Sequence, residues 1–215
     1  MGPDLYVVGA GGHARELHAY IGDLNCTLKG FLDDGLAPGK HGRLDVLGAI
    51  AAATLPDLRA GARYITALGG NALRRQLADR MTDLFGAALS PWSLIHPSAW
   101  IGEDIEIGEG TCVAPGVILT ARTKIGRHSI LNVKASVSHD CEVGDFVNIN
   151  PAATICGWVK IGDEAFIGAG ATIKDKVSIG AGAVIGAGAV VTRDIPPHVT
   201  AVGVPARVIR TRAAG

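Results

Sequence analysis

The tetrapeptide Ser138-His139-Asp140-Cys141 sets an imidazole, a carboxylate and a thiol side by side. Histidine takes up and releases protons near neutral pH, and a carboxylate beside it can fix its tautomer and support its charged form. His139 and Asp140 therefore suit a general base that accepts a proton from an attacking amine or hydroxyl. An exposed histidine next to a solvated acid is the other reading, because adjacent side chains need not touch. A second stretch, Gly9-Ala10-Gly11-Gly12-His13-Ala14, lies between a strand-like run at 5–8 and a helix-like run at 14–21. Backbone N–H groups at such a junction can hold a phosphate against the positive end of the helix, which makes Gly11, Gly12 and His13 candidate ligand contacts. A tight turn without a ligand is the alternative. Asp33 and Asp34 close the next strand-like run, where they can accept hydrogen bonds from a ribose or base, or end the strand in a solvated turn.

Two kinds of element must position these groups. An aliphatic residue recurs every six positions from Ile95 to Val191, through Ile101, Ile107, Val113 and Leu119, with no insertion. A small or β-branched residue commonly stands four positions later, and glycine often follows the aliphatic directly, as at Gly108, Gly126 and Gly144. Period six is neither the helical period nor simple strand alternation. It fits short strands joined by tight turns, three hexads or about 18 residues per triangular coil, with the aliphatics inside. On that ruler Ala121 and Gly157 sit one coil before and one coil after His139, so the imidazole has only small neighbours. Cys141 falls on an inward small position and reads as a core filler rather than a nucleophile. Residues 1–90 have a different texture, with strands expected at 5–8, 28–32 and 64–68. Helices are expected there at 14–21, 49–53 and 72–84, the last with Asn71 as N-cap. That is a small βα domain with a parallel sheet. About 90 residues are too few for both βαβ halves of a full dinucleotide domain, so a nucleotide or phosphorylated ligand is favoured over NAD or FAD. The expected division is 1–90 for this domain and 91–215 for the prism.

Composition narrows the functions further. The 215 residues include 30 glycines, about twice the usual share. Hydrophobic residues at 48% with 19% charged argue against general disorder. Lys+Arg and Asp+Glu both total 20, and no long basic run is present, so nucleic acid is not an expected partner. Cys26, Cys112, Cys141 and Cys156 lack the spacing of a zinc clamp or redox motif, and no metal is expected. The four cysteines fit a reducing cytoplasm, the expected location, and neither a membrane span nor a signal peptide is read from the apolar runs.

Along nearly its whole length the chain resembles the hexapeptide-repeat acyltransferases of the sialic acid O-acetyltransferase and bacillosamine-pathway N-acetyltransferase group. The likeness is carried by the unbroken repeat, by Val8-Gly9-Ala10-Gly11-Gly12-His13 and by the stretch from Asn132 to Gly157, which includes Ser138-His139-Asp140-Cys141 and Gly144-Asp145-Phe146. The ending Ala201-Val202-Gly203-Val204-Pro205-Ala206-Arg207 belongs to the same pattern. A narrower likeness is to the GDP-perosamine N-acetyltransferases. The resemblance implies a small Rossmann-like α/β domain followed by a left-handed parallel β-helix, assembled as a homotrimer with active sites between adjacent prisms. It implies acetyl-CoA as donor, a nucleotide-linked 4-amino-4,6-dideoxy sugar as acceptor, and His139 as general base with Asp140 beside it. The nucleotide sugar would lie on Gly11, Gly12, His13, Asp33 and Asp34. Some relatives carry a second active-site histidine nine residues after the first, where this chain has Asn148, an amide able to orient a substrate. Pantetheine is expected along Gly157, Gly168, Ala169, Gly180 and Ala187, with Arg193 and Arg207 near the CoA phosphates. O-acetylation of a sugar hydroxyl and a noncatalytic sugar-binding trimer stay open as alternatives.

Overall fold

Leu5-Tyr6-Val7-Val8 is apolar without alternation, and all four residues are buried, as in a strand covered on both faces. They form the centre of the first of two units, Met1–Leu94 and Ile95–Gly215, in a computed structural model that describes residues 2–51, 54–55 and 58–211. The first unit runs β1 (Asp4–Val8), α1 (Gly12–Tyr20), β2 (Thr27–Leu32), β3 (Gly39–His41), β4 (Leu44–Gly48), β5 (Ala62–Thr66), α2 (Asn71–Phe85) and β6 (Leu89–Pro91). Its sheet has the order β3-β4-β2-β1-β5-β6. Ala14 and Leu17 of α1, and Leu77, Ala78 and Met81 of α2, are the buried apolar residues of the two helices.

Three expectations are corrected here. The sheet is mixed rather than wholly parallel, because β3 and β4 form an antiparallel hairpin about Gly42, which takes φ 66°. β3 is three exposed or half-buried residues, too short and polar to show a strand pattern. Asn71 is the first residue of α2 rather than its cap; Gly70 holds the cap position, and Asn71 Oδ1 accepts instead from Arg74 Nη2 at 3.3 Å. Residues 49–51, expected to be helical, are bends, and 52–53 of the same expected helix lie outside the described residues.

The second unit is a parallel β-helix of three faces. Ile101, Leu119, Val137, Ile155, Ile173 and Val191 climb the first face in register. Ile107, Ile125, Val143, Ile161 and Ile179 climb the second. Val113, Leu131, Ile149, Ile167, Ile185 and Ala201 climb the third. The aliphatic column is buried from Val113 to Val191, each side chain contributing about 1.5–3 kcal/mol by leaving water. Its first members depart from expectation: Ile95 is 41% exposed and Ile101 36%, because no earlier coil lies beneath them. Inward polar side chains are satisfied between coils, as where Ser129 Oγ donates to Gly144 O and accepts from Val147 N, each at 3.0 Å. The Val199–Val202 strand ends the third face by pairing antiparallel with Arg207–Thr211.

Candidate active site

His139 and Asp140 occupy the turn between the first and second faces, after Ser136–Val137 and before Glu142–Val143. Asp140 takes the left-handed turn position with φ 58°, and its equivalents on neighbouring coils, Arg122 and Trp158, do the same at 46° and 62°. That backbone turns Asp140 back toward its neighbour: His139 Nδ1 lies 2.8 Å from Asp140 Oδ2. Arg122 then grips the same carboxylate from the coil before, with Nε 2.7 Å from Oδ1 and Nη2 2.9 Å from Oδ2. The Arg122 guanidinium, and after it the His139 contact, hold the Asp140 carboxyl down at about 2.

The imidazole fills the space left by glycine one coil later. A Cβ on Gly157 would lie 2.6 Å from His139 Cε1 and 2.8 Å from Nε2, so only glycine lets the ring lie there. Trp158 stands edge-on to the ring at 6.5 Å between centroids and is 55% exposed, and the His139 side chain is 53% exposed. The arrangement is an accessible imidazole whose Nδ1 side is held by Asp140, a geometry suited to taking up a proton at Nε2. Cys141 lies inward as expected, fully buried, with Sγ donating to Cys156 O at 3.1 Å, and burial pushes its thiol pKa up. Arg122 was not among the residues singled out from the sequence, although the 18-residue step that set Gly157 over His139 also sets Arg122 under Asp140.

The glycine-rich loop stands where β1 passes into α1. Gly9 takes φ 104° and donates to Leu32 O at 2.7 Å, while Ala67 N donates to Val8 O at 2.7 Å, so the loops after β1, β2 and β5 gather at one edge of the sheet. Ligands of open α/β sheets bind at such carboxyl edges. Gly11 and Gly12 are exposed, and a Cβ on either would meet nothing within 4 Å among the described residues. His13 is folded in beside them, its side chain 10% exposed and its Nδ1 3.1 Å from Glu16 Oε2. Burial, the largest influence on it, lowers its pKa, and its Nε2 is buried without a hydrogen-bond partner. A buried polar atom without a partner calls for an explanation, and a ligand at this loop is one. Asp33 and Asp34 are engaged by the protein: Asp33 accepts from Ala10 N and Gly35 N, each at 2.9 Å. Asp34 accepts from Ile50 N at 2.9 Å and pairs with Arg80 of α2.

The remaining expected contacts spread over the prism. Gly168 and Gly180 lie under the next coil, where a Cβ would come within 2.5 Å of Ala187 N and 2.3 Å of Pro197 N. Their N–H groups already donate to Ile185 O and Ile195 O. Ala169 and Ala187 are exposed at successive turns beside Gly170 and Gly188, whose own Cβ positions are open, so this corner is smooth and free of side-chain bulk. Arg193 and Arg207 are exposed, and Arg207 Nη1 donates to Ala206 O at 2.9 Å. A groove of about 670 Å³ runs along the second face, bordered by Lys124, Glu142, Lys160, Ser178, Gly180 and Pro196. Asn148 is buried on the third face, across the prism from the turn that carries His139, so one chain alone does not bring the two together.

Residues 4–81 match the PglD N-terminal domain family, and residues 159–193 match the bacterial transferase hexapeptide (six repeats) family. A small α/β domain with an open glycine loop, followed by a left-handed β-helix with a histidine–carboxylate pair at its turn, is the make-up of one class of enzyme. The chain belongs to the hexapeptide-repeat nucleotide-sugar N-acetyltransferases. It is similar to GDP-perosamine N-acetyltransferase of Escherichia coli O157:H7, with 35% identity over 165 residues, 72% of this chain and 71% of that one. Among solved structures it is similar to PerB from Caulobacter crescentus in complex with CoA and GDP-perosamine, at 36% identity and a TM-score of 0.82, over 95% of this chain and 96% of that one. The acetyltransferase domain of PglB from Neisseria gonorrhoeae FA1090 in complex with acetyl coenzyme A gives 32% identity and a TM-score of 0.83, over 97% and 100% of the two chains. No helix of the described residues is long and apolar enough to cross a membrane.

Proposed function

We propose that this protein transfers the acetyl group of acetyl-CoA to the 4-amino group of a GDP-linked 4-amino-4,6-dideoxy sugar, with GDP-perosamine as the acceptor. The observation that carries this reading is the His139 ring, bonded to Asp140 and seated against Gly157, in a chain similar to proteins named for that acceptor. Acetyl-CoA supplies a thioester, an acetyl group already activated toward a neutral amine. His139 moves the proton: with Nδ1 committed to Asp140, its Nε2 accepts the proton that the amine nitrogen sheds as the new C–N bond forms. The same Nε2 returns that proton to the departing thiol sulfur. Asp140 fixes the ring and supports its charged form between those two moments. Cys141 takes no part in bond making, since its sulfur is buried and its pKa raised.

The front domain binds the nucleotide in this reading, with the diphosphate against Gly11 and Gly12 at the start of α1 and His13 Nε2 donating to or accepting from the ligand. Asp33 and Asp34 act there through the loops they brace. Pantetheine runs along the smooth corner of Ala169 and Ala187 of one prism and reaches the Gly157 turn, a different corner of the fold, on its neighbour in the trimer, with Gly168 and Gly180 letting the coils close, and Arg193 and Arg207 meet the CoA phosphates. The assembly is a homotrimer in the cytoplasm, and Asn148 belongs to an acceptor site completed by a neighbouring prism.

The test is thiol release from acetyl-CoA with GDP-, UDP- and dTDP-linked 4-amino-4,6-dideoxy sugars and their 4-hydroxy counterparts, with products weighed by mass spectrometry. Release with the GDP-linked amine alone is the expected result. Transfer to a hydroxyl instead would replace the reading with O-acetylation, and silence without CoA binding would end it. His139→Asn is expected to keep both ligands bound while turnover falls roughly 10²–10⁴-fold. Near-normal turnover in that variant removes His139 as the base.

A further inference from the structure

A base that works near neutral pH must be unprotonated when substrate arrives, and a carboxylate in contact with an imidazole opposes this by favouring the imidazolium, by about one to three pH units when unopposed. The site contains its own counterweight. Arg122 takes both oxygens of Asp140, and Oδ2 is shared between Arg122 Nη2 at 2.9 Å and His139 Nδ1 at 2.8 Å. The carboxylate is 11% exposed and the arginine 62%. Other coil-to-coil pairs in the prism, such as Arg127 with Asp145 and Lys124 with Glu106, involve no imidazole.

We infer that Arg122 is a positioning residue which holds Asp140 in a shared ion pair and so limits how much of that carboxylate's charge bears on His139. The inference deepens the proposed function and rests on His139 being its base. The charged groups facing the pair are few. Arg122 and, acting on it, Asp104 come from the preceding coils. The following coil offers Gly157 and Trp158, with the Cys141 and Cys156 thiols alongside, and one coil further Lys174 pairs with Asp175 at 3.5 Å. No second cation among these contacts Asp140, so removing Arg122 leaves the carboxylate to His139 alone. The sign follows: without Arg122 the protonated imidazole loses a repelling cation and keeps its anion, so His139 titrates at higher pH. Asp140→Asn acts the opposite way.

The experiment is an NMR titration of the His139 ring in the full chain, its signal assigned by loss in His139→Asn. In Arg122→Met the midpoint is expected to rise by about one pH unit, and in Arg122→Lys to return toward wild type. Arg127→Met, which removes a comparable pair elsewhere, is expected to leave it in place. The acid limb of kcat/KM is expected to move with the NMR midpoint. A midpoint that stays or falls in Arg122→Met, with the fold intact by circular dichroism, overturns the inference. Because the titration needs no turnover, it reads the inference even where the acetyl-transfer assay is silent, and that silence counts against the proposed function alone.

Discussion

A methyl group built on Gly126 would lie 2.4 Å from the carbonyl carbon and oxygen of Gly144 on the next coil, whereas one built on Gly12 would meet nothing within 4 Å. Both positions are glycine, and the sequence around each is rich in small residues, yet the reasons differ. In the β-helix a glycine at the start of a turn makes room for the backbone of the same turn one coil later, so the space is filled by the protein itself. In the α/β unit a Cβ on Gly11 or Gly12 would meet nothing within 4 Å among the described residues, and His13, next in the chain, has a buried Nε2 without a hydrogen-bond partner. Gly157 is a third case, since it belongs to the β-helix but its space is taken by the His139 ring. The comparison teaches that a missing side chain has to be assigned to whatever occupies its place: a neighbouring coil, a reacting group or a ligand.

Substitution can break that assignment. Gly126→Val is expected to cost the most, about 1–3 kcal/mol or more, because the atoms it meets are backbone and cannot step aside. Its thermal midpoint should fall by several degrees, and an unchanged midpoint would remove coil stacking as the reason for that glycine. Gly157→Ala comes next. The methyl displaces an imidazole rather than a main chain, so the fold is expected to hold within about 0.5 kcal/mol. Turnover is expected to fall by roughly 10- to 10²-fold, as the ring loses its seat and with it the alignment of Nε2. Equal losses of stability in Gly126→Val and Gly157→Ala would collapse the distinction between a glycine kept for stacking and one kept for the site.

These outcomes bear on how far the site can be read from the chain. The six-residue period predicts the coil and its interior, since two residues in six, the aliphatic and the small one four places later, face inward whatever the turn sequences are. The same ruler sets Gly157 one coil after His139, which suggests a ring projecting into open space, whereas the ring lies over that glycine. What the ruler cannot supply is side-chain direction: the left-handed φ of Asp140 recurs at the same turn place every six residues, as at Lys134, Phe146 and Trp158, but the bend of its carboxylate back to His139 is a rotamer that no hydrophobic pattern encodes. Arg122 was legible in principle, one coil before Asp140, but an isolated exposed arginine carries no periodic signal. The hairpin of β3 and β4 escaped for a similar reason, being short and polar, with Gly42 and Arg43 as its only punctuation. Asp33 and Asp34 show the opposite difficulty. Their position at a strand end suits a ligand and a loop brace equally, and the hydrogen bonds from Ala10, Gly35 and Ile50, together with the Arg80 pair, only appear once the loops are folded against each other.

Gly12→Ala sharpens the comparison where the effect is smallest. Gly12 opens α1, where alanine is the better helix former by up to about 1 kcal/mol, and its methyl would enter open space. Stability is therefore expected to stay level or rise slightly. If the nucleotide diphosphate approaches the N–H groups of that turn, the methyl stands in its path, and KM for the nucleotide sugar is expected to rise several-fold while kcat and KM for acetyl-CoA hold, since His139 is untouched. Steady-state kinetics with each substrate varied in turn separates these terms. A variant that gains stability and loses nothing in nucleotide-sugar KM would mean that the space over Gly12 is bare surface, and the unpaired Nε2 of His13 would then need another explanation.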